Sequence, residues 1–208
     1  MNDPGRAAAT SDSARPDPHE PVDAVSAWRS HPVLEFRCYG ELARLLGDPV
    51  FRGHGVPQGD GRSVLLLPGF LAPDGSLRVM AQFLRRIGYD PVLSGIRFNS
   101  GCGNTFDQRI VRTVIREHAR SGRRLAVIGH SRGGHYTLGC TCEFSRGFAQ
   151  PFPAQVRFTS IHSRNDGVVD WRSCIADYAI CVEVTGSHIG LAFNRHAYRA
   201  VALALAGR

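Results

Sequence analysis

The chain has 208 residues, of which 43% are hydrophobic and 21% are charged. This length and composition are typical of one globular domain with a substantial core, and they leave little room for a second domain. The net charge is +7 and all 25 basic residues are arginines, but they are dispersed singly or in pairs, which argues against a nucleic-acid-binding protein.

The N-terminal 21 residues are rich in Asp, Pro, Ala and Ser and contain no apolar core of a secretory signal. No stretch reaches the about 18 consecutive apolar residues of a membrane span. We therefore expect a cytoplasmic protein without a membrane span, with a disordered tail over residues 1–21 and a single domain over 22–208.

Hydrophobic periodicity predicts strands that alternate with helices after an N-terminal helix. In the first half of the chain we predict a helix over 33–46 that Gly40 weakens, a loop over 47–61, a strand over 63–67, a helix over 74–87, a strand over 91–96 and a helix over 105–120. In the second half we predict a strand over 125–128, a helix after Gly134, strands over 156–162 and 180–184, and a helix over 195–206. Such alternation implies right-handed crossovers and a parallel sheet, so the predicted fold class is α/β.

Two of these helices have strongly marked apolar faces. We predict that the first, which Asp74 or Ser76 can cap, buries Leu77, Met80, Phe83, Leu84 and Ile87. The second is predicted to bury Phe106, Ile110, Val111, Val114 and Ile115.

A G-x-S-x-G motif follows the predicted strand over 125–128. Its serine is Ser131, between Gly129 and Gly133. A serine on a sharp turn between a strand and a helix exposes its hydroxyl above the sheet, and glycines are needed because a Cβ would clash there. Ser131 is therefore a candidate nucleophile. The earlier strand over 63–67 ends in a Pro-Gly-Phe turn, where backbone N–H groups can form an oxyanion hole.

A nucleophilic serine needs a base, and the base needs an acid. Asp166 follows the strand over 156–162, and His188 follows the strand over 180–184, which is the chain order Ser, Asp, His of this architecture. Asp170 is the alternative acid, although its position before Trp171 favours a helix cap. A structural role is the simpler interpretation of His130, inside the motif.

Six cysteines are present, and none belongs to a C-x-x-C pair. Free thiols are the simplest interpretation. The even count leaves disulfides open, with Cys174 to Cys181, or Cys102 to Cys140 or Cys142, as candidates. No metal or organic cofactor is expected.

The stretches LLLPGFLAPDGSLRVMAQFLRRIGY, SGIRFNSGC, VIGHSRGGH, PFPAQVRFTSIHSRNDGVVDWRSC and VEVTGSHIGLAFN together resemble bacterial serine esterases and lipases of the α/β-hydrolase family. The resemblance extends over about residues 60–206. It implies a mostly parallel, doubly wound sheet, with Ser131 as nucleophile, His188 as base and Asp166 as acid. It also implies an oxyanion hole formed by the backbone N–H groups of Phe70 and Arg132.

The chain departs from this family pattern after the nucleophile. A further strand and a substrate-covering segment normally precede the acid, but Asp166 comes only 35 positions after Ser131. We therefore expect a reduced fold. The predicted function is hydrolysis of small carboxylic esters with short or medium acyl chains; the alternative is a non-catalytic or weakly active binding module. Neither nucleic acid nor a cofactor is part of this prediction, and the oligomeric state stays open.

Overall fold

A computed structural model describes residues 35–99, 104–131, 133–134 and 157–207, with only the backbone described for residues 104–107. Several predictions fall outside these ranges: the tail over 1–21, the helix after Gly134, the oxyanion residue Arg132, the burial of Phe106, and the pairing of Cys102 with Cys140 or Cys142.

The described residues contain four α-helices and five β-strands. The helices are α1 (Arg37–Gly47), α2 (Arg78–Arg86), α3 (Asn104–Ser121) and α4 (Arg195–Leu205), and the strands are β1 (Ser63–Leu67), β2 (Asp90–Leu93), β3 (Ala126–Gly129), β4 (Phe158–His162) and β5 (Ala179–Glu183). Short 3-10 helices lie at Pro49–Arg52, Asp74–Leu77, Trp171–Cys174 and Gly190–Phe193. The mixed α/β content agrees with the predicted fold class.

The strands form two small parallel sheets. One has the order β2-β1-β3, and the other pairs β4 with β5. No ladder joins β4 to β3 among the described strands, so the strand before Asp166 does not pair with the strand that leads to Ser131. The crossovers from β1 through α2 to β2, and from β2 through α3 to β3, account for the parallel pairing of the first sheet.

The core lies between the first sheet, α2 and α4. Strand β1 is fully buried along its length, as its continuous apolar run predicts. Helix α2 buries the predicted face, and its Phe83 packs against Tyr198 of α4 with ring centroids 4.8 Å apart. The predicted caps Asp74 and Ser76 are wrong, because the N-cap residue of α2 is Leu77, without a side-chain cap. Asp74 instead accepts hydrogen bonds from Ser94 Oγ and the Gly95 N–H, both at 2.6 Å.

The predicted apolar face of α3 is wrong for Val111 and Ile115, which are 54% and 62% exposed. Among the side chains of this helix described from residue 108 onward, Thr113 and Glu117 are buried. Glu117 binds Arg120, which also contacts Ser63 Oγ at 3.1 Å and Asp90 Oδ2 at 2.6 Å. A polar network therefore links the C-terminal turn of α3 to the starts of β1 and β2.

The cysteines in the described ranges carry free thiols. These are Cys38, Cys174 and Cys181, so the candidate disulfide between Cys174 and Cys181 is not formed. None of the described helices is long and apolar enough to cross a membrane.

Candidate active site

The turn after β3 holds Ser131 in a backbone conformation that residues other than glycine rarely adopt. Its φ is 54°, and Leu71 is the only other non-glycine residue with a positive φ in the described part of the chain. A strained serine at a strand-to-helix turn is the geometry that presents a hydroxyl away from the backbone. The next described residues, Gly133 and Gly134, are helical.

The glycines of the motif are required by close backbone packing. A Cβ on Gly129 would lie 2.3 Å from the carbonyl of Gly133, and a Cβ on Gly133 would lie 2.2 Å from the carbonyl oxygen of Leu67. Neither contact can be relieved by a side-chain rotation, because the opposing atoms belong to the backbone. Steric exclusion at these two positions therefore fixes how closely the turn approaches β1.

Ser131, His188 and Asp166 form a continuous chain of hydrogen bonds. His188 Nε2 lies 2.9 Å from Ser131 Oγ, and His188 Nδ1 lies 2.7 Å from Asp166 Oδ2. A carboxylate can only accept, so Nδ1 carries the proton and Nε2 offers its lone pair to the serine hydroxyl. The side chains of His188 and Asp166 are 11% and 8% exposed, so this polar chain is largely shielded from water.

Asp166 is held by its own loop as well as by the histidine. Its Oδ1 accepts the N–H groups of Val168 and Val169, both at 2.8 Å. Burial alone would raise the pKa of Asp166, but these hydrogen bonds and the contact with His188 outweigh it and hold the pKa below its usual value. The carboxylate is therefore charged at neutral pH and orients the imidazole.

Asp170, the alternative acid, has a different task. Its carboxylate accepts the N–H of Arg172 at 2.9 Å and caps the 3-10 helix Trp171–Cys174. The geometry therefore brings Asp166, rather than Asp170, to His188.

His130, next to Ser131, contacts the loop of His188. Its Nε2 lies 2.9 Å from the carbonyl oxygen of His188, and because that oxygen only accepts, Nε2 carries the proton. Burial, aided by the nearby His188 ring, lowers the pKa of His130 to about 4. The ring is therefore neutral at neutral pH and acts as a fixed donor.

The segment after β1 runs alongside the serine. An ideal Cβ on Gly69 would lie 3.1 Å from Ser131 Cβ, so glycine lets the Phe70 turn approach the serine without a tight contact. Asn99 is fully buried, and its side chain donates to the carbonyl of Pro68 at 2.8 Å. The Leu71 N–H donates to the carbonyl of Asn99 at 2.9 Å, which ties the turn to the segment after β2.

Sequence reasoning missed three residues that shape this site: Asn99, Glu35 and Glu41. The two glutamates contact the loop of His188, although they precede it by 153 and 146 positions. No local pattern marks such long-range partners. The signal that was available is the pair of glycines, Gly186 and Gly190, that flank the histidine.

In the described ranges no group of three or more His, Cys, Asp or Glu side chains is placed to hold a metal ion. No protein-family model and no curated protein matches the chain.

Proposed function

We propose that the chain is a serine hydrolase of the α/β-hydrolase type that cleaves carboxylic esters through an acyl-enzyme. The observation that carries the proposal is the hydrogen-bond chain from Ser131 Oγ through His188 to Asp166, with both distances under 3 Å. The positive φ of Ser131 supports it independently, because backbone strain of this kind concentrates at functional residues.

In the first half of the reaction His188 Nε2 takes the proton of Ser131 Oγ while the oxygen attacks the ester carbonyl carbon. Asp166 stabilises the imidazolium that forms. The tetrahedral intermediate then collapses, its bond to the alcohol oxygen breaks, and Nε2 returns the proton to that alcohol. Ser131 is left as an ester of the acyl group.

In the second half a water molecule gives a proton to His188 Nε2 and attacks the acyl carbon. The bond to Ser131 Oγ breaks, and the proton returns to the serine. We assign stabilisation of the oxyanion to the backbone N–H groups of Phe70 and Arg132, of which only Phe70 lies in a described range. The close approach of Gly69 to Ser131 supports the first assignment.

Exposed apolar side chains near the site favour an apolar acyl group. Phe70, Leu71 and Ile189 are 42%, 49% and 45% exposed, and each adjoins or belongs to a segment that contacts Ser131 or His188. An acyl chain that covers these side chains would remove apolar surface from water, at about 25 cal/mol per Å². This supports esters of short or medium fatty acids as the substrate class.

Turnover of p-nitrophenyl acetate, butyrate and octanoate tests the proposal, with Ser131→Ala as the matched variant. We expect turnover by the wild-type chain and a loss of about 10³-fold or more in kcat in Ser131→Ala. Turnover unchanged by the substitution would refute the triad. An absence of turnover in the wild-type chain would favour the non-catalytic binding module.

A further inference from the structure

The loop that carries His188 receives two carboxylates from the N-terminal part of the described chain. Glu41 of α1 accepts the N–H of Ser187 at 3.1 Å through Oε1, and the hydroxyl of Ser187 at 2.9 Å through Oε2. Glu35, just before α1, accepts the N–H groups of His188 and Ile189 at 3.2 and 2.7 Å. Three consecutive amide groups centred on the histidine therefore donate to carboxylates.

The glycines beside His188 make room for one of these carboxylates. An ideal Cβ on Gly190 would lie 1.3 Å from Glu41 Oε2, and one on Gly186 would lie 3.0 Å from Glu41 Oε1. At Gly190 the carboxylate of Glu41 thus occupies the space of a side chain, with Ser187 Oγ also 2.5 Å from the ideal Cβ, and at Gly186 it shares that space with Asn194 Nδ2. This fit makes the contact more specific than a surface ion pair.

Beside these carboxylates, Asn194 at the start of α4 also holds the loop, because its Nδ2 donates to the carbonyl oxygen of Thr185 at 2.5 Å. Strand β5, which leads into the loop, pairs with β4, and that sheet has no ladder to the β2-β1-β3 sheet among the described strands. On its carbonyl side His188 is held by His130. On its amide side Glu35 and Glu41 hold it, and α1 also packs against the 3-10 helix Gly190–Phe193 that follows the loop.

We propose that Glu41, assisted by Glu35, is a positioning residue for His188. Hydrogen bonds to a charged acceptor are about twice as strong as neutral ones, so the glutamates fix the main chain of the loop and hold the imidazole at its short distance from Ser131 Oγ. Helix α1 is therefore part of the catalytic apparatus. The catalytic part of this inference rests on the proposed hydrolase function.

Four variants and one control test the proposal. Glu41→Ala removes the carboxylate, and Glu41→Gln keeps an oxygen acceptor of the same reach. Gly190→Ala leaves Glu41 in the chain but places a methyl group where its carboxylate lies, and the fourth variant combines Glu41→Ala with Gly190→Ala. The control is Arg44→Ala, an exposed position on the same helix.

We expect Glu41→Ala to lower kcat for p-nitrophenyl butyrate by about 10- to 100-fold with KM changed less than about threefold, because a small misplacement of the base affects the reaction more than binding. Glu41→Gln should recover most of the loss, and Arg44→Ala should retain wild-type kcat. Full activity in Glu41→Ala, or an equal loss in Arg44→Ala, would overturn the proposal.

The double variant separates a specific contact from general damage. Gly190→Ala and Glu41→Ala remove the same interaction, so the double variant should lose little more activity than the worse single variant. Losses that multiply would overturn the proposal, because they would show that the two positions act independently. Should Glu41→Ala fail to fold, Gly190→Ala and Glu41→Gln carry the comparison.

Amide hydrogen exchange of a peptide spanning residues 184–191 provides a readout that does not depend on catalysis. Exchange at Ser187, His188 and Ile189 should be faster in Glu41→Ala than in the wild-type chain, and unchanged in Arg44→Ala. Unchanged exchange in Glu41→Ala would refute the contact itself. If the wild-type chain neither hydrolyses esters nor reacts with a fluorophosphonate, the proposed function fails, and this measurement still decides whether Glu41 holds the loop.

Discussion

At the scale of single residues, Ser131 combines a reactive position with backbone strain. Its φ of 54° places Cβ close to the backbone, which costs a non-glycine residue about 1 kcal/mol or more. The same strain directs the hydroxyl to His188. The strained backbone of Ser131 therefore lowers the stability of the fold at the position where the proposed chemistry takes place.

Ser131→Gly should for this reason be more stable than Ser131→Ala by about 1 kcal/mol, because both variants lose the hydroxyl and only glycine relieves the strain. Urea unfolding of the two inactive variants measures the difference directly. Equal stabilities, or a more stable alanine variant, would contradict the strained conformation.

Substitutions of Asp166 and Asp170 should have clearly different effects on kcat. Asp166→Asn should lower kcat by about 10³- to 10⁴-fold, because an amide facing Nδ1 no longer selects the productive tautomer. Asp170→Asn should leave kcat within about twofold and change stability by less than about 1 kcal/mol, since it replaces one helix cap with another. Steady-state kinetics of both variants check this, and a larger kcat loss in Asp170→Asn would show that Asp170 is the acid.

His130 should make stability depend on pH. Its pKa is about 4 when folded against an ordinary value of 6.5, so between these values the unfolded chain binds more protons and stability rises with pH. The stability that His130 contributes is complete above pH 6.5 and falls, by roughly 3 kcal/mol, as the pH is lowered towards 4.

Urea unfolding at pH 7, 5.5 and 4.5 tests this expectation in the wild-type chain and in His130→Gln, which cannot titrate in this range. The wild-type chain should lose more stability than the variant as the pH falls. Parallel pH dependences in the two chains would show that the ring is not held neutral by burial.

At the scale of elements, close backbone packing excludes a side chain from the turn between β3 and the following helix. Gly133 contacts the backbone of β1 so closely that no side chain fits, whereas Gly40 in α1 has nothing within 4 Å of an added Cβ. The same substitution should therefore have opposite effects at the two positions.

Gly133→Ala should destabilise the chain by about 3 kcal/mol and abolish esterase activity, because the turn must move away from β1. Gly40→Ala should stabilise it by about 0.5 to 1 kcal/mol through its higher helix propensity, with activity retained. Chemical denaturation measures both changes. A neutral Gly133→Ala would contradict the packing of the turn.

The elements also show what periodicity predicts well and what it does not. Strand β1 and helix α2 follow their patterns closely because continuous or strongly one-sided apolar runs have a single buried solution. Helix α3 does not, because the contacts of Arg120 with Ser63 and Asp90 compete with its apolar stripe. Side-chain networks of this kind join residues far apart in the chain and leave no periodic signal.

At the scale of the whole molecule, the order of motifs along the chain was the informative signal. The meeting of Ser131, Asp166 and His188 was predictable because each residue comes after the end of a parallel strand, even though the described strands belong to two sheets. Glu35 and Glu41 were not, since they act on the histidine loop from the other end of the chain. The contribution of α1 to this loop emerges only when the tertiary contacts are known.

Asp166 and His188 reach Ser131 although Asp166 follows it by only 35 positions and no ladder joins their strands to β3 among the described strands. Strands β4 and β5 form a separate pair, yet the loops that follow them still bring Asp166 and His188 to the serine. Contacts from His130 and from the two glutamates join the histidine loop to the rest of the molecule. A further contact, from Asn194 Nδ2 to the carbonyl oxygen of Thr185, joins the same loop to α4.

Ser131 is tested most directly as the nucleophile by locating the residue that reacts with a fluorophosphonate ester. Mass spectrometry of the peptides identifies that residue. We expect modification at Ser131 alone. The reaction should be lost in Ser131→Ala and strongly slowed in His188→Ala, because the serine is nucleophilic only beside its base. A wild-type chain that stays unmodified, or that is modified elsewhere at the same rate in Ser131→Ala, would contradict it.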